Sequence, residues 1–517
     1  MIKTDFLVIG SGIAGLSFAL KAARYGEVLV ITKNRIKESN TLYAQGGLAA
    51  VFGKDDSFRL HIKDTILTGE GLCNSKAVSL LVRNAPREVL WLYNLGVKFD
   101  RNKEFRLSRE AVHSKPRIVH AGDITGEKIE STLVKRTNEN KKIKILEYNQ
   151  AIELITRKGV CYGSRVLDIK KREVIDIFAK ATILATGGLG QVYKNTCNPK
   201  TATGDGFALA YNSGASLQDM EFIQFHPTGL YKSRPTFLIS ETLRGEGGIL
   251  RNKYGKPFMK HYHKKGDLAP RNTVSRLSVI EMKKTNFGCV FLDVSHLGSD
   301  YLKKRFPTFY VECLRYGIDI TKEPIPVTPT AHYSCGGVRI NLNGETDIKN
   351  LYAIGEVSCS GLHGAERLAS NSLTEGLVFS TRLIEFLGKG IRNKSIKSVK
   401  NKTIGVIKGS KKVNQLKSEI KKIMWDKVGI IRKREGMKKA LKRLDKIEKI
   451  VNNISRKGIN KEIVELRNQI TVAKLITKSA LARKESRGSH FVEDYPKKDD
   501  KNWRKHSIIN KKGVRFC

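Results

Sequence analysis

The chain has 517 residues, 40% hydrophobic and 28% charged, which is typical of a globular protein with two to four domains. No apolar run approaches the ~20 residues of a membrane span, and the cysteines show no CxxC or zinc spacing. We therefore expect a cytoplasmic protein with reduced thiols, no membrane partner and no metal. The formal net charge of +45 is spread along the chain as lysine, which favours a solvated surface over a nucleic-acid partner.

The first predicted elements form a strand, a glycine turn, a helix and a second strand in DFLVIGSGIAGLSFALKAARYGEVLVITK (5–33). Glycines in a G-x-G-x-x-G turn let backbone N–H groups and a helix N-terminus approach a pyrophosphate. This turn predicts a dinucleotide site and explains the N-terminus better than a signal peptide does. The predicted contacts are Gly10, Ser11, Gly12, Ile13, Ala14 and Gly15.

The second strand ends in Thr32 and Lys33, where a site for NAD usually places an acidic residue. This absence weakens the interpretation as an NAD site. We expect Lys33 to approach phosphate or adenosine groups instead.

Two later stretches are predicted to return to the same site. KATILATGGLGQVY (180–193) is a strand that ends in a glycine turn, and NLYAIGEV (350–357) is a strand that ends at Glu356. Glu356 is placed to accept hydrogen bonds from a polyol, and the helix that begins near Ser372 and Leu373 directs positive potential towards a ring that gains charge. A flavin needs both features.

Ten motifs in chain order now identify a family. They are GSGIAGL, SNTLYAQGGLAAV, ATGDG, QFHPTGL, SETLRGEGGIL, DLAPRN, TAHYSCGGV, LYAIGE, HGAERLASNSL and ARKESRGSHFVEDYP. Together they resemble the succinate dehydrogenase/fumarate reductase flavoprotein superfamily over nearly the whole chain. Fewer residues support the branch, and these are most similar to the L-aspartate oxidases.

The resemblance implies how FAD is held. It places the segment SNTLYAQGGLAAV against the flavin, where bare backbone approaches a flat ring closely. Asn40 stands where membrane-bound succinate dehydrogenases carry the His that bonds covalently to the flavin, which implies one noncovalent FAD per chain; alternatively, Asn40 is only a turn residue. The cofactor contacts implied by these motifs are Asn40, Thr41, Leu42, Tyr43, Ala44, Gln45, Gly46, Gly47 and Asp205.

The resemblance also implies a site for a four-carbon dicarboxylate. Arg367 and His332 are expected to hold one carboxylate, and His226 the other, with Ser240 as a further donor. Arg271 is expected to be the proton donor or acceptor. A guanidinium is a poor base alone, so we expect Glu241 and Arg244 to serve it as a relay.

Glu110 is the residue expected to select aspartate, since the substrate ammonium needs an anion beside it. The alternative is a surface carboxylate paired with Arg106 or Arg109. Two departures from the family bear on the rate: Asn272 replaces the usual Asp after Arg271, and Ala111-Val112 replaces a Gly-Gly pair that would be more flexible.

The implied reaction is FAD-dependent oxidation of L-aspartate to iminoaspartate. The implied electron acceptor is O2 or fumarate, and the product passes to quinolinate synthase in the route to NAD. A monomer is expected. The implied fold is α/β, with a Rossmann-type FAD-binding domain (1–219 and 335–400) interrupted by an α+β capping domain (220–334). After a Lys/Ser/Asn-rich linker near 389–412, apolar residues recur at spacings of three and four, at Met437, Leu441, Leu444, Ile447 and Val451. This spacing predicts a C-terminal helical bundle (401–517), with a loose tail after Tyr495.

Two alternatives remain at this point. A soluble fumarate reductase or succinate-oxidising flavoprotein would share His226, Arg271, His332 and Arg367 but would not need Glu110. A basic scaffold or nucleic-acid-binding protein that keeps FAD only for structure would show steeply salt-dependent binding.

Overall fold

The computed structural model describes residues 1–110, 112–233, 236–388, 390–391, 395–398, 404–407, 409 and 411–517. The Lys/Ser/Asn-rich linker predicted near 389–412 falls largely outside these residues. Among the residues described, no helix has both the length and the apolar character needed to cross a membrane.

Up to residue 219 the chain alternates strands and helices, beginning with the predicted strand–turn–helix–strand unit. In chain order these elements are β1 (Ile2–Ile9), α1 (Ile13–Ala22), β2 (Val28–Thr32), β3 (Leu48–Ala49), α2 (Phe58–Thr68), α3 (Ser75–Leu95), β4 (Leu107–Ser108), β5 (Ile118–Val119), α4 (Thr125–Glu139), β6 (Ile143–Glu147), β7 (Asn149–Arg157), β8 (Val160–Asp168), β9 (Glu173–Leu184), α5 (Asp205–Asn212) and β10 (Leu217–Gln218).

The middle of the chain, from 220 to 334, forms short helices around antiparallel strands. Its elements are β11 (Ile223–Leu230), α6 (Glu241–Gly245), β12 (Ile249–Arg251), α7 (Met259–Tyr262), α8 (Arg271–Lys284), β13 (Val290–Asp293), α9 (Ser299–Arg305), α10 (Pro307–Arg315) and β14 (Ile325–Ser334). The four strands pair in the order β11-β14-β13-β12 and enclose a core of their own.

The remaining elements return to the first sheet and then become helical. They are β15 (Gly337–Arg339), β16 (Leu351–Ala353), β17 (Ser358–Cys359), α11 (Asn371–Leu387), α12 (Lys411–Val428), α13 (Arg434–Arg456), α14 (Lys461–Ala482), α15 (Asp500–Trp503), β18 (Ser507–Asn510) and β19 (Gly513–Phe516).

The main sheet joins strands from both sides of the middle segment. Its order is β6-β2-β1-β9-β8-β7, and β16 pairs with β9. The pairs from β6 through β9, and that of β16 with β9, are parallel, whereas β8 and β7 extend the sheet as antiparallel strands. The carboxyl ends of the parallel strands meet at one edge, which is where open α/β sheets bind ligands.

The alternation along β1 explains why both faces of this sheet are covered. Phe6 and Val8 pack in one core with residues of α1, α3 and α11, while Leu7 and Ile9 pack in another with residues of α5 and of α12 to α14. An uninterrupted apolar run is what a parallel strand buried on both faces requires.

The C-terminal helices form as their spacing predicts, with one correction. Met437, Leu444, Ile447 and Val451 are buried along α13, while Leu441 is only half-buried. The prediction of a loose tail after Tyr495 is wrong. Strands β18 and β19 form a hairpin, and β18 pairs with β10 in a five-stranded sheet.

Buried charges hold this tail in place. Glu485 accepts hydrogen bonds from Arg483 Nη1 (3.0 Å) and Arg487 Nε (2.8 Å), and all three side chains are fully buried. Arg483 also donates to the backbone oxygens of Trp503 (2.9 Å) and Lys505 (2.7 Å). The sequence shows the tail as charged, but only the fold shows that buried arginines bind its backbone.

Candidate active site

A single cavity of about 890 Å³ brings the predicted cofactor residues and substrate residues together. It begins at the carboxyl edge of the main sheet and continues beneath α6 and α8 of the middle segment. Its cofactor end is lined by residues 10–14 and 40–47, and by Lys33, Asp205, Glu356, Ser372 and Leu373. Its other end is lined by Glu110, His226, Ser240, Glu241, Arg271, His332 and Arg367.

Two predicted site residues, Gly15 and Arg244, are not part of the cavity wall. A Cβ added to Gly15 would lie 2.1 Å from the carbonyl oxygen of Gly10, so Gly15 lets α1 pack closely on the strand. Gly10 itself has φ +117, and a Cβ there would meet the carbonyl oxygen of Ala185 at 2.1 Å. These two glycines shape the turn, and Gly12 caps α1 without any side-chain hydrogen bond.

The segment 39–51 runs along the cavity and is tied to neighbouring elements. Thr41 Oγ1 accepts the N–H of Ile13 (2.9 Å), and a Cβ on Gly47 would lie 2.2 Å from the carbonyl oxygen of Val119. Asn40 Nδ2 donates to Glu356 Oε2 (3.1 Å). Asn40 therefore holds Glu356, the residue predicted to bind a polyol. A residue that only formed a turn would not need this contact.

Glu356 is a buried carboxyl group with few protein partners. Besides Asn40, it accepts only the N–H of Ser334 (3.1 Å) among the described residues. Burial raises the pKa of Glu356 to about 7. A carboxyl group in this state is suited to hydroxyl groups of a ligand, which both donate and accept.

The positive charge of Lys33 is balanced by carboxylates of the protein itself. Its Nζ lies 2.7 Å from Asp205 and 3.4 Å from Glu465 of α14. Asn468 of the same helix donates to Asp205 (2.9 Å). Lys33 and Asp205 thus line the cavity as a pair, and the C-terminal helices close this end of it.

Helix α11 begins at the junction of the two ends of the cavity. Its N-cap residue, Ser370, has φ +59, and the side chain of Ser370 does not cap the helix. Ser372 and Leu373 in the first turn line the cavity. The uncapped N–H groups and the helix dipole give this point positive potential.

The three residues of the predicted relay lie next to one another. Arg271 Nε donates to Glu241 Oε2, and Glu241 Oε1 lies 3.2 Å from Arg244 Nη2. These side chains are almost fully buried. Burial alone would raise the pKa of Glu241, but Arg271 and Arg244 hold it below its ordinary value. The side-chain oxygen Oδ1 of Asn272, the next residue, accepts the N–H of Thr273 (2.7 Å), and Arg271 is held by Glu241 and Gln224.

Arg367 is held rigidly and still has a donor to spare. Its Nη1 donates to Ser372 (3.1 Å), its Nη2 donates to Gln224 (3.0 Å), and its guanidinium lies 4.4 Å from the ring centre of Tyr333. Within the described part of the chain its buried Nε–H finds no acceptor. Because the buried, charged Arg367 lines the cavity, it favours an anion there.

The two predicted histidines lie side by side in the wall of the cavity. The rings of His226 and His332 pack edge to face with centroids 5.3 Å apart. Burial and the neighbouring guanidinium groups, including Arg271 and Arg367, hold both pKa values well below 6.5, so both rings are neutral. They can therefore offer hydrogen bonds without adding charge.

Glu110 lies inside the cavity, so the alternative of a surface carboxylate is wrong. It is 4% exposed and accepts a hydrogen bond from Ser370 Oγ (2.7 Å). Burial raises its pKa despite the opposing effect of Arg271. Ala111 lies outside the described residues, while Val112 is half-buried.

Gln224 is a site residue that the sequence reasoning did not select. Its Oε1 accepts from Arg271 Nη1 (3.3 Å) and from Arg367 Nη2 (3.0 Å), so it links the two arginines. Its Nε2 donates to Glu366 (2.6 Å), whose pKa burial raises to about 8. The sequence could have indicated Gln224 through its position in the motif QFHPTGL, two residues before His226 on β11.

Ser240 lines the cavity just before Glu241, as expected. Its Oγ accepts the N–H of Thr242 (3.3 Å) and so caps the short helix α6. This cap fixes the start of the helix that carries Glu241 and Arg244.

Comparison with known proteins agrees with this geometry. The FAD binding domain family matches residues 5–373, and the fumarate reductase flavoprotein C-terminal family matches residues 417–516. A solved quinol-fumarate reductase structure with menaquinol molecules is 31% identical, with a TM-score of 0.90 over 100% of this chain and 97% of that one.

Curated relatives cover nearly the whole chain. The chloroplastic L-aspartate oxidase of Oryza sativa subsp. japonica is 41% identical over 98% of this chain and 83% of that protein. The L-aspartate oxidase of Vibrio cholerae is 40% identical over 96% of each. An uncharacterized FAD-dependent oxidoreductase of Methanocaldococcus jannaschii is 42% identical over 100% of this chain and 98% of that protein. The chain therefore belongs to the L-aspartate oxidase family of FAD-dependent flavoproteins.

Proposed function

We propose that the chain oxidises L-aspartate to iminoaspartate in the first step of the quinolinate route to NAD. The observation that carries this proposal is the buried carboxyl group of Glu110 in one cavity with Arg271 and Arg367. A site for a simple dicarboxylate such as succinate would need only the two arginines. An added buried anion suits a substrate that also carries an ammonium group.

FAD fits the cofactor end of the cavity. The uncapped start of α11 suits a ring that gains negative charge, and Glu356, which has few protein partners, suits the hydroxyl groups of a polyol. The glycine turn at 10–15 suits a pyrophosphate. When bound, FAD supplies the acceptor for a hydride from C2 of the substrate. We propose one noncovalent FAD per chain, since Asn40 hydrogen-bonds Glu356 and has no nucleophilic nitrogen.

The substrate carboxylates are assigned to the four cationic or neutral donors. Arg367, together with His332, is proposed to bind one carboxylate. His226 and Ser240 bind the other. The ammonium lies against Glu110, and Gln224 keeps the two arginines apart at a fixed spacing.

Arg271, Glu241 and Arg244 are proposed to move the proton. Arg271 faces the cavity, and Glu241 contacts both guanidinium groups. To take up the substrate proton, Arg271 first passes its Nε proton to Glu241. Glu241 passes that proton on to Arg244 as Arg244 releases one of its own, so that all three groups return to their resting charges. Because the pKa of Glu241 is held low, its charge keeps both arginines protonated between turnovers.

The electron acceptors are proposed to be O2, which gives H2O2, and fumarate, which gives succinate. The product hydrolyses readily, which favours a hand-off to quinolinate synthase. A monomer and a cytoplasmic location remain predictions. We also propose the division into an FAD-binding domain (1–219 and 335–400), a capping domain (220–334) and a C-terminal domain (401–517).

The test is a product balance with purified holoprotein. We expect L-aspartate and O2 to yield ammonia and H2O2 in a 1:1 ratio, and acid precipitation to release the flavin into solution. A flavin that stays with the precipitate would contradict noncovalent binding. Fumarate reduction without any aspartate turnover would instead support the soluble fumarate reductase alternative.

A further inference from the structure

Cys197 lies at the substrate end of the cavity beside His332. The loop that carries it is fixed to β14: Thr196 forms a parallel bridge with Ala331, and Asn198 Nδ2 donates to the carbonyl oxygen of His332 (2.9 Å). These contacts place Cys197 Sγ 3.1 Å from Nδ1 of His332. No role for this thiol follows from the reaction described above.

Both partners in this contact are neutral. Burial raises the pKa of the Cys197 thiol to about 12, so it keeps its hydrogen. The imidazole of His332 carries a single N–H, because burial, Arg367 and Arg271 hold its pKa well below the ordinary value. The remaining question is which ring nitrogen bears that hydrogen.

For His226, a backbone N–H indicates which ring nitrogen bears the hydrogen. Thr228 places its N–H 3.3 Å and its Oγ1 3.2 Å from Nδ1 of His226, and because the N–H can only donate, it favours the ring hydrogen on Nε2. For His332, the S–H of Cys197 has two acceptors within reach in the described structure. Nδ1 at 3.1 Å is closer than the carbonyl oxygen of Ala331 at 3.6 Å.

A second observation indicates which tautomer the cavity needs. Arg367 is 4% exposed, and its Nε–H has no acceptor among the residues described. The buried charges of Arg367 and Arg271, which both line the cavity, favour an anion there. An anion beside His332 requires an N–H on Nε2, since a lone pair there would repel it.

We propose that Cys197 is a positioning residue that fixes His332 as the Nε2–H tautomer, so that His226 and His332 both present N–H donors to a dicarboxylate. This inference rests on the proposed function for its choice of substrate. The backbone fixes one histidine, and a thiol that stays protonated at neutral pH fixes the other.

The experiment compares Cys197→Ala, which removes the donor, with Cys197→Ser, which keeps one. Cys289→Ala is the matched control, because Cys289 is a buried thiol that does not line the cavity. Two readouts are taken on FAD-loaded protein: the 15N signals of labelled histidine, with His332 assigned by their loss in His332→Gln, and the Kd of succinate from the change in flavin absorbance.

We expect His332 of the unaltered protein to carry its hydrogen on Nε2, and Cys197→Ala to shift it towards a mixture of tautomers. Cys197→Ala should weaken succinate binding about five-fold, the equivalent of one neutral hydrogen bond. Cys197→Ser should recover part of both losses, and Cys289→Ala should change neither. A hydrogen on Nδ1 in the unaltered protein would overturn the proposal, as would unchanged succinate binding in Cys197→Ala.

These two readouts test the role of Cys197 independently of the proposed function. Neither the tautomer nor succinate binding requires aspartate turnover. A protein that binds succinate as described but does not oxidise L-aspartate would contradict the proposed function and leave the role of Cys197 intact.

Discussion

Arg271 donates directly to Glu241, and the second oxygen of that carboxylate lies 3.2 Å from Arg244. Three groups that the sequence places up to thirty residues apart therefore form one buried chain of charges. Only Arg271 and Glu241 reach the cavity wall, and Arg244 lies behind them. In the reaction proposed above, this chain of charges is the route by which the substrate proton leaves.

Glu241→Gln should break this chain of charges. We expect the rate of anaerobic flavin reduction by L-aspartate to fall about 10²- to 10⁴-fold, the usual contribution of a positioned acid or base. The Kd of succinate should change much less, because the carboxylate binders stay in place. Stopped-flow absorbance measures the first quantity and an equilibrium titration the second.

Glu246→Gln is the control for this substitution. Glu246 follows the same helix, but it is exposed and its carboxylate contacts Tyr301 (2.9 Å). It should reduce its flavin at the normal rate. Equal losses in both variants would mean that the helix, and not the relay, had been damaged.

Glu110→Gln should affect L-aspartate oxidation much more than fumarate reduction. The amide cannot pair with an ammonium group, so aspartate turnover should fall at least 100-fold. Fumarate reduction by the chemically reduced enzyme should stay within about three-fold of normal, because fumarate has no ammonium group. Loss of both activities together would remove Glu110 as the group that selects aspartate.

The pH dependence of aspartate binding follows from the same carboxyl group. Burial raises the pKa of Glu110, and Arg271 and Arg367 oppose the rise only in part. The ionised form is needed to bind an ammonium group, and it is lost as the pH falls through the raised pKa. The affinity for L-aspartate relative to succinate should therefore fall with decreasing pH in the normal protein and stay flat in Glu110→Gln. A flat ratio in both proteins would argue against this role.

Glu356→Ala should weaken FAD binding. Its carboxyl group accepts from Asn40 and Ser334 and is otherwise free for ligand hydroxyls in the described structure. Loss of one hydrogen bond to a charged group corresponds to about a 10- to 100-fold rise in Kd. Quenching of flavin fluorescence on titration of the apoprotein gives this value. Half-buried Glu345, which accepts from Asn341 (2.8 Å) and does not line the cavity, provides an alanine control that should bind FAD normally.

Glu485→Ala should destabilise the fold. It would leave the guanidinium groups of Arg483 and Arg487 buried without this partner, which typically costs about 3–5 kcal/mol. Glu493 pairs with Lys433 on the surface, so Glu493→Ala should cost less than about 1 kcal/mol. Urea unfolding followed by circular dichroism compares the two, and equal midpoints would contradict the account of the tail.

Local patterns predicted the parts of this structure that depend on neighbours in sequence. The unit from β1 to β2 and the stripe along α13 follow from apolar spacing and glycine placement. Gln224 and Cys197 escaped prediction because their partners, Arg367 and His332, lie more than 130 residues away. The tail was misjudged because its many charges suggested exposure, whereas Arg483 and Arg487 are buried by pairing with Glu485.

The most direct test of the central claim is anaerobic addition of L-aspartate to the FAD-loaded protein. The account predicts that the flavin absorbance bleaches with L-aspartate and stays unchanged with succinate or D-aspartate. No bleaching with L-aspartate, together with reoxidation of the chemically reduced flavin by fumarate, would contradict it and leave a fumarate reductase in its place.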